Sequence, residues 1–234
     1  MTFFSRKPLR ILGIPVGTEG LRSRAARMRR FEPENPRLFV PRAVGIGWDL
    51  NVGALAVRLG LIRPDDSLPD LEDHVPSRTA GALAVAPWAG LALLAATGAG
   101  LRRRHATLPG GWTASLRPKP ARPTDEVLAR TLLPCTALAT WNAVDHWRED
   151  GVDVVGNALT LGVESSMALT LLAAARAARR PDRRSFLGGL APLAIPTVMT
   201  AVIVATVRRA LRNLDAGLRA GDITPHTDER TTDA

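Results

Sequence analysis

The run Ala80 to Leu101, AGALAVAPWAGLALLAATGAGL, carries no charge over 22 residues and is followed at once by Arg102, Arg103 and Arg104. As a helix rising 1.5 Å per residue it reaches about 33 Å, enough to cross a hydrocarbon core of roughly 30 Å. Two further long apolar runs lie downstream. Val154 to Ala175 is broken only by Glu164, and Phe186 to Val207 is uncharged, with Pro192 and Pro196 expected to kink it. A shorter, polar-ended run becomes long enough to span if it begins at Leu128 and closes at Trp147, with Trp141 and Trp147 as interfacial anchors. The expected fold is therefore all-α: a polytopic membrane protein with three to four transmembrane helices. They are placed at 80–101, 128–147, 154–175 and 186–207, within a helical region 80–212. A basic N-terminal segment (1–62) and an acidic linker (63–79) precede them, and a disordered tail (213–234) follows.

Net charge tests that reading. The formal charge is +9, and Lys7 and Lys119 are the only lysines among 31 basic residues. A basic balance suits nucleic acid, but it is also how the cytoplasmic loops of membrane proteins look. The arginines Arg22, Arg24, Arg27, Arg29 and Arg30 stud the stretch Glu19 to Arg30 with no interleaved aromatic residue for base stacking. A short helix lying on anionic headgroups fits this stretch, and nucleic acid is not expected as a partner. Abundant arginine and alanine, with no tyrosine, point to a GC-rich genome. The single Cys135 excludes an intrachain disulfide and a cysteine zinc site. The chain opens with no cleavable leader, so insertion into a bacterial plasma membrane is expected.

The most distinctive block is Asn35 to Ile62, NPRLFVPRAVGIGWDLNVGALAVRLGLI. Its Asn35, Pro36, Arg37, Leu38, Phe39, Val40, Pro41, Gly45, Gly47, Trp48, Leu50, Asn51 and Gly53 follow an N-P-R-L-F-V-P…G-x-G-W-x-L-N-x-G pattern. It resembles a short domain of unknown function found in membrane proteins of Gram-positive bacteria. The resemblance spans about thirty residues, implies a membrane-associated protein, and carries no catalytic residue with it. Some relatives set the block beside a membrane domain similar to bacteriocin-immunity and signalling proteins, of which this chain shows no clear counterpart. Physically, Gly45 and Gly47 allow tight turns, Trp48 suits an interface, and Asn51 can cap a helix starting near Val52. Val52 to Ile62 reads as an interfacial or re-entrant helix, because a full crossing would put Asp49 or Arg58 inside the bilayer at roughly 2.5 to 3.5 kcal/mol each.

Orientation is over-determined. Residues 102–130 hold seven Arg or Lys and 176–185 hold five, against Arg148 alone in 146–153. Basic loops prefer the cytoplasm, so those counts put both arginine-rich loops inside and the turn Arg148 to Asp153 outside. The basic N-terminus also favours the inside. Both demands hold only if the Trp48 block re-crosses or the first run is a re-entrant hairpin. A regular four-span bundle with both ends inside leaves twelve basic residues outside.

Candidate chemistry is sparse. Glu164 stands in mid-span, where a carboxylate often marks a proton or cation path or pairs with a basic residue. Ser165, Ser166 and Asn157 extend a polar stripe that could equally glue helices together. Asp145 and His146 are adjacent, and neighbours in sequence do not face the same way on a helix. No histidine spacing suits a metal, the acidic linker lacks a calcium-loop pattern, and neither a phosphate loop nor a Gly-x-Ser-x-Gly elbow occurs. The expectation is a non-enzymatic membrane component of regulatory or accessory kind without cofactor or metal. Its partners would be the lipid bilayer with anionic headgroups and other membrane proteins. The alternative is a small proton- or ion-coupled transporter built on Glu164. Glu164, Trp48 and Asn51 are the residues singled out.

Overall fold

The computed structural model describes residues 9–11, 14–21, 23–66, 74–148, 152–180 and 184–220. Proline and glycine keep the N-terminal part from forming long elements. It holds β1 (Leu9–Ile11), β2 (Ile14–Gly17), α1 (Arg24–Arg27), β3 (Phe39–Pro41), β4 (Gly45–Ile46), β5 (Trp48–Leu50) and α2 (Val52–Arg58). Three of the strands form an antiparallel sheet in the order β1-β2-β4, and β3 pairs antiparallel with β5, Pro41 opposite Trp48. The turn between them needs Gly45 and Gly47, whose φ of 94° and 104° a side chain would strain.

Behind this block stand four long helices: α3 (Ser77–Arg104), α4 (Thr124–Arg148), α5 (Val154–Arg179) and α7 (Ala194–Ala220). Between α3 and α4, the proline-rich segment folds into the hairpin β6 (Thr107–Pro109) and β7 (Ala121–Pro123). A short helix α6 (Phe186–Leu190) and a 3-10 turn (Ala191–Leu193) lead into α7. Three helices are long and apolar enough to cross a membrane: Ser77–Arg104, Val154–Arg179 and the combined Phe186–Arg219. Without water in hydrocarbon, a helix satisfies its backbone groups within itself, which is why these runs take that form. Their outward apolar side chains, such as Val85, Leu93, Leu172 and Leu193, are exposed, as contact with lipid would require.

α5 is the hub, packing on α3, α4 and most extensively on α7. One apolar core joins the N-terminal block to the bundle end: Phe31, Val52, Ala56 and Ile62 pack with Val154, Val155 and Ala158 of α5 and with Ile203, Val207 and Ala210 of α7. A second core at the opposite end gathers Leu94, Leu108, Leu128, Cys135 and Leu171. Arg208 donates to the carbonyl of Leu61 (3.0 Å) and Asn213 to that of His74 (3.1 Å). The N-terminal block, the start of α3, the α4–α5 turn and the end of α7 therefore share one end of the bundle. The β6–β7 hairpin and the α5–α6 connection share the other.

Several expectations change. The fold is mostly helical rather than all-α, because the Pro- and Gly-rich stretches pair into seven short strands among the described residues. α2 is a seven-residue helix that buries Val52, Gly53, Ala54 and Ala56 against protein rather than lying re-entrant in lipid. Glu19 to Arg30 forms two 3-10 turns around the four-residue α1 instead of one surface helix. The last run breaks at the 3-10 turn carrying Pro192, and Pro196 sits in the first turn of α7, where a missing N–H costs nothing. α7 continues to Ala220, so 213–220 is helical; residues 221–234 lie outside the described residues. So do Arg22 and, in the linker, Asp70, Glu72 and Asp73.

Candidate functional site

The junction between block and bundle is held by Arg27. Its Nη1 donates to the carbonyl of Gly20 at 2.8 Å, its Nη2 pairs with the carboxylate of Asp145, and its Nε lies 3.7 Å from Asp153 Oδ2. Asp145 lies one turn before the end of α4, and Asp153 caps α5 by accepting from the Gly156 amide at 2.7 Å. One guanidinium thus clamps both sides of the α4–α5 turn. Arg27 and Asp145 are each 12% exposed and Asp153 3%, so one guanidinium faces two carboxylates largely out of water, and Arg27 Nε and Asp153 Oδ2 approach without a hydrogen bond. A cavity of about 360 Å³ opens beside the clamp, between Arg27, Arg30 and Val44 above and Leu138, Trp141 and Leu159 below.

Asn51 organises the block from within. Fully buried, its Oδ1 accepts from the amides of Glu32 (3.0 Å) and Ala54 (3.2 Å). Its Nδ2 donates to the carbonyls of Glu32 (2.9 Å), Asn35 (3.2 Å) and Arg37 (3.2 Å). The side chain therefore caps α2 and also ties down the irregular Pro-rich chain before β3. Gly53 lets α2 approach that chain: a Cβ there would stand 2.7 Å from the Pro33 nitrogen. Asp49 is pinned between Arg30 (2.8 Å) and Arg42 (3.2 Å). Trp48 points the other way and is half exposed, as are Phe39 and Ile46 nearby, so Trp48 and Asn51 do not form one site.

Glu164 is 4% exposed, and neither carboxylate oxygen has a hydrogen-bond partner. It presses onto Gly90 of α3, where an added Cβ would overlap the carboxylate. The polar stripe expected around it is divided. Asn157 belongs to a separate seam between α4 and α5, where the Asn142 amide donates to Thr160 Oγ1 (2.9 Å) and to Asn157 Oδ1 (3.4 Å). Glu164 lines neither the cavity beside Arg27 nor a second one of about 200 Å³ near Trp88, His146 and Trp147. Asp145 and His146 diverge, the first to Arg27 and the second to that smaller cavity. Among the described residues no three His, Cys, Asp or Glu side chains converge as a metal site would need.

The sequence profile of a family of unknown function (DUF5808) matches residues 33–58, from the proline beneath Gly53 to the end of α2. The similarity covers the block organised by Asn51 and none of the long helices. No curated protein and no solved structure matches the chain. The Arg27 clamp escaped the sequence reading because its partners lie 118 and 126 residues away. The stretch's excess of positive charge was the only sign in the sequence that acids elsewhere answer it.

Proposed function

We propose that the chain is a non-enzymatic, multi-pass component of a bacterial plasma membrane, regulatory or accessory to another membrane protein. The observation that carries this reading is the N-terminal block itself: it shares its apolar core with α5 and α7, is clamped by Arg27, and yet leaves Phe39, Ile46 and Trp48 exposed on its outer edge. A rigidly mounted apolar edge is suited to a partner's surface. A photo-crosslinking residue at position 39 or 48 in living cells is expected to give a discrete protein adduct, and one at lipid-facing position 133 to give none. Adducts from neither 39 nor 48 would remove the edge from consideration.

The second reading is a proton- or ion-coupled transporter, favoured by the two unpartnered oxygens of Glu164. It needs an aqueous route to a side chain that is packed against Gly90. In proteoliposomes the protein is expected to pass no proton or ion current above empty vesicles. Flux that Glu164→Gln abolishes would replace the accessory reading with this one.

A further inference from the structure

At the end of the bundle opposite the N-terminal block, Arg176 and Arg179 of the last turn of α5, spaced i and i+3, share a flank, and Arg180 just past the helix end lines the same cavity. Arg184 and Ser185 continue the wall, and Phe186 and Leu187 of α6 close it around a cavity of about 480 Å³. That volume falls in the range of roughly 300–1,000 Å³ usual for small-ligand sites. None of the four guanidiniums has an ion-pair partner among the described residues. The nearby hairpin end offers them no acid: Asp125 is taken by Arg102 (2.9 Å), and Glu126 by Arg122 and Arg130 (2.7 Å each). The same end adds Arg104 and Lys119 beside the β6–β7 hairpin, which leaves the cavity in a positive field.

Position and shape narrow the ligand. The cavity lies where the apolar part of a helix long enough to cross a membrane ends, which in a bilayer is the depth of the headgroups. Leu172 lies one turn before Arg176 and is exposed, and Phe186, Leu190 and Leu193 form an exposed i, i+4, i+7 stripe running away from the arginines. A cationic pocket opening onto two apolar tracks is complementary to a molecule that is anionic at one end and a long hydrocarbon at the other. Guanidinium forks match phosphate oxygens in pairs. We propose that this cavity is a binding site for an anionic phospholipid, with the phosphodiester held by Arg176, Arg179, Arg180 and Arg184 and an acyl chain along Phe186, Leu190 and Leu193. The site is independent of the partner-binding edge at the opposite end of the molecule.

The test uses the full chain, delipidated in detergent and titrated with spin-labelled phosphatidylglycerol, with spin-labelled phosphatidylcholine as the zwitterionic reference. The double variant Arg176→Gln/Arg180→Gln is expected to weaken the anionic lipid by about 25-fold, roughly fivefold for each arginine removed from a membrane surface. Arg103→Gln/Arg117→Gln, which removes two arginines of the same end outside the cavity, is expected to change it less than about twofold. A third variant, Leu190→Gln, is expected to weaken the lipid, whereas the affinity for inorganic phosphate, measured separately, stays unchanged. Equal losses in the two arginine pairs, or no preference for the anionic lipid, would overturn the site. Phosphate that displaces the lipid at equal strength in wild type and Leu190→Gln would identify a soluble phosphate as the ligand and overturn it too.

Discussion

At the scale of single residues, Asn51 and Glu164 are opposite solutions to burying a polar group. Asn51 uses both faces of its amide on five backbone groups. Replacing it with alanine leaves those groups unpaired, except the Glu32 carbonyl, which keeps the Asn35 amide at 3.2 Å, at about 1–3 kcal/mol for each one kept from water. Asn51→Ala is therefore expected to lower stability by at least 2 kcal/mol by that measure, read as protease sensitivity of the N-terminal block. Asn51→Asp, similar in size, should fare little better, because it keeps the acceptor oxygen but loses the donor to three carbonyls. Glu164 has no such partners. An ionised carboxylate there would be uncompensated, so Glu164→Gln is expected to leave the melting temperature of the bundle nearly unchanged. Gly90→Ala should instead destabilise it by about 1–3 kcal/mol through overlap with the carboxylate. Adding Glu164→Ala to Gly90→Ala should recover part of that loss, and strict additivity in the double-mutant cycle would contradict the contact.

Among the elements, the short ones carry the lesson. α1 and α2 span four and seven residues, too few to be stable alone, and they persist through what they pack against. Arg27 supplies the polar part of that packing. Arg27→Ala strands Asp145 and Asp153 and is expected to cost about 3–5 kcal/mol, as does removal of one partner from a buried ion pair. Limited proteolysis should then cut between the block and α3 while the bundle stays intact; identical cleavage of wild type and variant would show that the apolar core alone mounts the block. The long helices were legible in the sequence because twenty or more apolar residues in a row have few other forms. The capping of α2 was legible too, since Asn51 directly precedes its first turn. The proline-bounded segments at 38–40 and after Trp112 read as extended, as they are, but their pairing into sheets was not legible, because two- and three-residue pairings leave no periodic signal, and Trp112 illustrates the limit. Next to Gly110 and Gly111 it reads as an interfacial anchor, yet its indole lies against Gly188 of α6, where a Cβ would overlap the ring.

For the whole molecule, the basic N-terminal block and the arginine-rich loops lie at opposite ends, so only one of the two can face the cytoplasm. Neither a re-crossing of the Trp48 block nor a re-entrant first run is needed. Several arginines of the block are answered by acids: Arg27 by Asp145, Arg29 by Glu19, and Arg30 and Arg42 by Asp49. The preference for basic loops inside acts on loops shorter than about 60 residues. It therefore speaks for the hairpin and the α5–α6 connection, which carry the arginines, as the cytoplasmic end. A membrane-impermeant maleimide added outside intact cells is expected to label Glu34→Cys and to miss Ser115→Cys, both exposed positions. Cys135 is fully buried and can stay in place. Labelling at 115 alone would reverse the orientation. By itself the sequence determined which segments can enter a membrane, because transfer into hydrocarbon depends on local composition and length. The tertiary structure decided which charges are free. Arg27 and Arg180 look alike in the chain, but one is closed off by carboxylates brought from more than a hundred residues away and the other faces an open cavity. Coulombic pairing depends on distance in space, which only the folded chain sets.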